Sequence, residues 1–207
     1  MTKRRNLHLS EDDAAGKSAE YAALVRAAAT GNRAAMERLL MRAQEVAFRF
    51  SLLVCGHTED AEDVMQDALL KTYRYVGRIR DPEAFRTWLY RTVRNACLMK
   101  RRLHAGEPRH LVSVEQGNER ETRHGAAIEV EDHAPGPDEM AINAWLGDRL
   151  RSALKKLPPA YRVIVVLREM EGLSTREVSV ITGLSEANVK TRLHRARVLL
   201  KERLEGV

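Results

Sequence analysis

Ser174-Thr175-Arg176-Glu177-Val178-Ser179-Val180-Ile181-Thr182-Gly183-Leu184-Ser185-Glu186-Ala187-Asn188-Val189-Lys190 is the stretch whose reading decides the fold. Ser174 and Glu177 have the spacing of a capping box, in which the serine oxygen takes an orphan amide and the glutamate reaches back to the cap. A helix therefore starts at Ser174 and is expected to end at Thr182-Gly183, where glycine tolerates the left-handed turn. Ser185 then caps a second helix beginning Glu186-Ala187-Asn188. Val178, Ile181, Leu184, Val189 and Leu193 fall where the two helices face each other. A short helix, a glycine turn and a capped basic helix make a helix-turn-helix of the DNA-binding kind.

The second helix carries Lys190, Arg192, His194, Arg195, Arg197, Lys201 and Arg203, which suit phosphates and base edges. Glu186, Asn188 and Lys190, at its amino end, are best placed to read bases. Thr175, Ser185, Thr191, Arg192 and Arg195 complete the candidate DNA-binding set. Upstream, helical spacing begins at Ile142 and runs to Leu157. Pro158-Pro159 interrupts it, and a further helix is predicted from Ala160 to about Glu171.

Before Ile142 the pattern fails. Residues 103–141 carry Gly106, Pro108, Gly117, Gly125, Pro135, Gly136 and Pro137 and no sustained periodicity, so they read as a flexible linker. Nine acids against three bases between residues 103 and 140 give this segment a net charge of −6, in a chain whose total is +6. The rest therefore carries +12, and two basic lobes joined by an acidic strap point to a polyanion contacted at both ends.

The amino-terminal lobe is also helical by its spacing. Residues 1–18 are polar and patternless and read as a disordered tail. A short helix runs from Glu20 to Ala29, Thr30-Gly31-Asn32 breaks it, and a long helix follows from Ala34 to about Val54. Its buried stripe is Leu39, Leu40, Ala43, Val46, Ala47 and Phe50. Glu59, Asp60, Glu62 and Asp63 open a third helix, where carboxylates meet the positive end of the dipole. A loop from Val76 to Pro82 leads to a fourth helix, Glu83 to about Arg102, with Phe85, Trp88, Leu89, Val93 and Ala96 inward. The fold class is all-α, two small helical domains over 19–102 and 142–207. Aromatics at only 5% of 207 residues agree with helices rather than strands.

Composition also narrows the function. Cys55 and Cys97 show no CxxC pattern, so neither a disulfide framework nor a thiolate zinc site is indicated, and both read as reduced, partly buried thiols. The histidines are scattered, no nucleotide-loop glycine motif occurs, and no nucleophile signature surrounds either cysteine. Catalytic residues, metals and cofactors are expected to be absent. No apolar run approaches a membrane span and no signal-peptide block opens the chain, so a cytoplasmic protein without membrane insertion is expected.

Two runs carry a resemblance. Leu157-Pro158-Pro159-Ala160-Tyr161-Arg162, Glu171-Gly172-Leu173-Ser174 and Lys190-Thr191-Arg192-Leu193-His194-Arg195-Ala196-Arg197 form the first. Asp60-Ala61-Glu62-Asp63-Val64-Met65-Gln66-Asp67 and Phe85-Arg86-Thr87-Trp88-Leu89-Tyr90-Arg91 form the second. In this order they resemble the extracytoplasmic-function sigma factors of bacterial RNA polymerase. The resemblance implies that residues 19–102 are sigma region 2, binding core polymerase and the minus-ten promoter element. It implies that residues 142–207 are region 4, reading the minus-thirty-five element.

Carried over residue by residue, the resemblance points to Asp63, Gln66, Asp67 and Arg74 for the polymerase clamp; their spacing places them on one face opposite the apolar stripe. For the minus-ten strand it points to Arg78 and Arg80 in the loop and to Arg86, Tyr90, Arg91, Arg94 and Asn95 on the helix, charge and stacking being what binds single strands. The loop Arg78-Ile79-Arg80-Asp81-Pro82 lacks the family's usual Gly-Glu-Ser type of segment, so no base-capture residues are assigned within it. Trp88 is read as core. The implied partners are core RNA polymerase, through clamp and flap, promoter DNA and an anti-sigma factor. By position and charge the linker resembles the segment that threads the polymerase's basic channel; a solvated tether whose acids limit nonspecific adhesion is the alternative reading. A stand-alone helix-turn-helix regulator and a sigma-mimicking interaction protein are the alternatives; the first needs dimerisation and a palindrome.

Overall fold

The computed structural model describes residues 11–105, 147 and 149–205. All regular elements among them are helical. The spine of the amino-terminal domain is α2 (Arg33–Cys55). Asn32 caps it, its side-chain oxygen accepting from the Ala35 amide at 3.0 Å. Leu39, Ala43, Ala47, Phe50 and Val54 recur at helical spacing and are all buried. The alanines on this stripe leave room for neighbouring helices to approach closely. Gly56, at φ 91°, ends the helix in the left-handed conformation that a side chain resists.

Two helices flank this spine. α1 (Glu11–Ala29) starts well before the expected Glu20, so the predicted tail is helical from residue 11 onward. Lack of apolar periodicity masked it, but Gly16 alone in residues 11–18 disfavours a helix strongly, no proline interrupts it, and Ser18 is tied down by donating from its hydroxyl to the Glu83 carbonyl at 3.3 Å. Tyr21 and Phe85 stack at 5.5 Å between centroids, joining α1 to the fourth helix. α3 (Thr58–Tyr75) packs along α2 and buries Ala61, Val64 and Ala68, as its spacing predicts.

The predicted loop contains two single 3-10 turns, Val76–Arg78 and Pro82–Ala84, the second capped by Asp81. α4 (Phe85–Ala105) follows and extends into the stretch expected to be linker. Phe85, Leu89 and Val93 are fully buried, and Tyr90 meets Phe50 edge-on at 5.2 Å. The acidic linker from residue 106 and the first turn predicted from Ile142 lie outside the described residues.

In the carboxy-terminal domain α5 covers 149–155, and α6 (Pro159–Val165) begins with proline in its first turn. α6 runs directly into a π turn, Val166–Met170, closed by the Glu171 amide donating to the Val166 carbonyl at 3.0 Å. α7 (Thr175–Thr182) and α8 (Glu186–Glu205) complete the domain. The two domains share a face: α7 packs on α4 and α6 touches α2.

The cysteines overturn their sequence reading. Cys55, the last residue of α2, and Cys97, in the middle of α4, form a disulfide across a Cα–Cα distance of 4.9 Å. Both are buried. Their 42-residue separation conceals the pairing, which only the side-by-side, parallel docking of α2 and α4 creates, Phe50 meeting Tyr90 one turn or more before Cys55 meets Cys97.

Candidate nucleic-acid and polymerase interfaces

The helix-turn-helix forms as its sequence dictates. Ser174 accepts from the Glu177 amide at 3.2 Å, and the Ser174 amide donates to the Glu177 carboxylate at 2.7 Å, closing the capping box. Gly183 takes φ 73° and Ser185 accepts from the Asn188 amide at 3.3 Å. Val178, Ile181, Val189 and Leu193 are buried between α7 and α8, and Leu184 is half-buried. These caps direct the amino end of α8 outward. Ser185, Glu186, Asn188, Lys190, Thr191 and Arg195 are exposed together there; Thr175 and Arg192 are partly buried. Arg197, further along, is engaged with Glu169. The arrangement presents a capped helix end rich in amide and guanidinium donors, the geometry of a major-groove reader.

On α3, Asp63, Gln66, Asp67 and Arg74 are all exposed, so the structure gathers the predicted clamp residues on one outer face. Lys100 of α4 pairs with Asp63 at 2.6 Å, and that hydrogen bond holds the Lys100 ammonium above its ordinary range. The pair joins the amino-terminal half of α3 to the carboxy-terminal half of α4, and Lys100 lines a groove between the two helices.

That groove, about 800 Å³ in volume, is lined by Tyr75, Arg78, Arg80, Trp88, Asn95 and Met99 among others. Arg78 lies over the Tyr75 ring at 5.8 Å. Trp88 stacks on Phe85 at 5.7 Å yet remains half-exposed along one wall. Cationic rims with aromatic walls suit an unstacked base and its phosphates. Trp88 is thus a site candidate that its core-like spacing hid. Its place opposite a basic loop, rather than its periodicity, was the signal.

The predicted minus-ten residues divide between two faces of α4. Arg78, Arg80 and Asn95 line the groove, and Arg91 is exposed. Arg86, Tyr90 and Arg94, four residues apart, face the carboxy-terminal domain instead. Arg86 and Tyr90 are only 3% and 1% exposed. Tyr90 donates its hydroxyl proton to the Glu171 carboxylate, while Arg86 donates to the Glu171 backbone carbonyl. Burial and the nearby Glu171 charge push the Tyr90 phenol well above its ordinary pKa. Arg94 donates to the Ile181 carbonyl at 3.3 Å, and burial, with Arg91 and Arg102 nearby, holds its guanidinium below its usual range.

Among the described residues no group of histidine, cysteine and carboxylate side chains is placed to hold a metal. Among them, too, no helix is long and apolar enough to cross a membrane.

Comparison with known proteins accounts for both domains. Residues 36–106 match Sigma-70 region 2 and residues 147–200 match Sigma-70, region 4. The chain is 33% identical over 180 residues to the ECF RNA polymerase sigma factor SigE of Mycolicibacterium smegmatis, covering 85% of this chain and 65% of that protein. It is 32% identical over 179 residues to SigM of Mycobacterium tuberculosis, covering 86% of this chain and 82% of SigM. Its fold superposes with a TM-score of 0.58 on CnrH, solved in complex with the cytosolic domain of CnrY, at 26% identity and over 90% of this chain and 98% of that one. These are proteins of promoter-specific transcription initiation. The chain belongs to the extracytoplasmic-function RNA polymerase sigma factors.

Proposed function

We propose that this sigma factor binds core RNA polymerase as a single copy and reads two unlike promoter elements with its two domains. The exposed face of α3, with Asp63, Gln66, Asp67 and Arg74, docks on the polymerase clamp, and the carboxy-terminal domain docks on the flap. The amino end of α8 reads the minus-thirty-five element in the major groove, with Asn188, Lys190 and Arg195 foremost. The groove between α3 and α4 takes the melted minus-ten strand: Arg78 and Arg80 meet phosphate, and Trp88 offers a stacking surface.

The observation that carries this reading is the occurrence, in one chain, of a capped reading helix and a separate basic, aromatic-walled groove. A single helix-turn-helix regulator has no use for the second. The chain performs no chemistry itself; bond formation belongs to the polymerase. It works in the cytoplasm, where an anti-sigma factor restrains it, as the partner-bound state of the similar CnrH suggests.

Run-off transcription from a genomic promoter library with purified core polymerase tests the proposal. Templates that gain transcripts with the protein present are expected to share two spaced elements. No gain with a demonstrably active core, together with binding to a palindromic operator, would overturn it.

A further inference from the structure

The contact between the two domains is built around one carboxylate. Glu171 follows the π turn of the carboxy-terminal domain and is 3% exposed. Its two oxygens accept from the Arg49 guanidinium at 3.0 Å and from the Tyr90 hydroxyl, both in the amino-terminal domain. Arg86, also buried, lies 3.8 Å from the same carboxylate and donates to the Glu171 carbonyl. Two further links flank this centre, from Arg94 to the Ile181 carbonyl and from Arg162 to the Leu53 carbonyl at 3.1 Å. A buried carboxylate needs such partners, because isolated it is costly to desolvate. Here every one of them comes from the other domain.

The contact covers a face of α4 that carries three of the predicted minus-ten residues. It also fixes the domains too close together for the proposed task. The minus-ten and minus-thirty-five elements are about 25 base pairs apart, roughly 85 Å of duplex at 3.4 Å per pair. The turn that opens α8 follows directly on α7, and α7 lies against α4. The reading end of α8 is thus separated from α4 by little more than the length of α7, roughly 12 Å at 1.5 Å per residue.

We infer that the free protein holds itself closed, the Glu171 carboxylate of its own carboxy-terminal domain occupying the Arg49–Arg86–Tyr90 surface of the amino-terminal domain. The partner of that surface is this chain's own second domain, and promoter reading requires its release. The inference rests on the two-element reading proposed above, but the closed state is measurable without it.

The experiment uses the full-length protein and its Glu171→Gln and Arg49→Ala variants. Small-angle X-ray scattering gives the overall dimensions, and hydrogen–deuterium exchange follows residues 85–97. Glu171→Gln removes the charge that two guanidinium groups answer, and is expected to shift the closed-to-open ratio by about tenfold or more, since hydrogen bonds to charged groups are the strong ones. Arg49 is half-exposed and outside every DNA-contact set, so its alanine variant tests the same contact if Glu171→Gln fails to fold. Larger dimensions and faster exchange on α4, with unchanged helical circular dichroism, are the expected result. An extended wild-type protein, or folded variants as compact and as protected as wild type, overturns the inference. Run-off transcription on the same preparations separates the two readings. Promoter-specific initiation without a closed state removes only the latch, whereas a closed state without initiation removes the promoter reading and leaves the intramolecular contact.

Discussion

Cys55 ends α2 and Cys97 lies midway along α4, and the disulfide between them fastens the carboxy-terminal end of the long central helix to the helix that carries five of the seven predicted minus-ten residues. Closing a loop of 42 residues restricts the unfolded chain, a gain of roughly 4 kcal/mol in the chain-entropy account. Native strain and residual structure commonly reduce that figure. Reduction is therefore expected to lower the urea midpoint markedly without changing the helical spectrum under native conditions. Paired urea titrations with and without dithiothreitol check this. An identical midpoint in both would mean that the bridge contributes no stability.

The turn of the helix-turn-helix supports a second expectation. Ser174→Ala removes one oxygen of the capping box and is expected to cost about 1 kcal/mol. Gly183→Ala places a Cβ in open space but at φ 73°, so its cost of about 1 to 2 kcal/mol is conformational rather than steric. Denaturant titration of each variant reads the stability. Binding to a minus-thirty-five duplex is expected to weaken more in Gly183→Ala, because that turn sets the angle at which α8 leaves α7. Equal binding by both variants at matched folded fraction would count against the turn as the aiming device.

The exposed cations of α8 are expected to separate into two kinds of contact. Replacing a phosphate-binding residue weakens all duplexes alike and flattens the plot of log affinity against log salt by about 0.9 per contact. Arg195, two turns into the helix, is expected to behave this way on substitution by alanine. Asn188, at the amino end, is expected to change base preference with little effect on the salt slope. Fluorescence anisotropy with promoter and scrambled duplexes across a salt series distinguishes them. A full salt slope in Arg195→Ala would remove that residue from the phosphate set.

Local physics made most of this legible before any coordinates. The Ser174–Glu177 box, the Gly183 turn and the Ser185 cap are decided within four residues of chain, and each appears where the spacing places it. The core stripe of α2 follows from the helical repeat alone. What sequence could not provide depends on tertiary docking. The Cys55–Cys97 bridge needs two helices side by side, and the helix over 11–18 lacks the apolar repeat that announces a buried face. Arg86 and Tyr90 read as outward-facing polar residues on α4, since nothing near them in sequence indicates Glu171, more than eighty residues away. Trp88 was hidden for the opposite reason: its core spacing is genuine, but the wall it packs into borders a groove.

Alkaline pH gives the last expectation, and its sign follows from two buried phenols. Burial is the main cause that raises Tyr21 from 10.0 to about 12, and burial with the Glu171 charge raises Tyr90 well above its ordinary value. A group whose folded pKa is raised binds its proton more tightly when folded. Its contribution is full below the unfolded value of 10.0 and is lost as pH rises through the folded one. Arg162 acts in the opposite sense, because burial and then Arg101 lower it to about 10, so folding gains relative stability as that guanidinium neutralises. Burial lowers Arg94 and Arg101 in the same sense as Arg162, so the arginines offset part of the tyrosine loss, and stability is still expected to fall between pH 10 and 12 as both phenols ionise. Tyr21→Phe retains the ring against Phe85 but loses the hydroxyl bond to the Arg42 carbonyl, costing about 1 kcal/mol at neutral pH while shrinking the alkaline loss. Urea midpoints at pH 8 and pH 11, set against tyrosinate absorbance, measure both effects. An alkaline loss as large in Tyr21→Phe as in the wild-type protein would assign it to other groups.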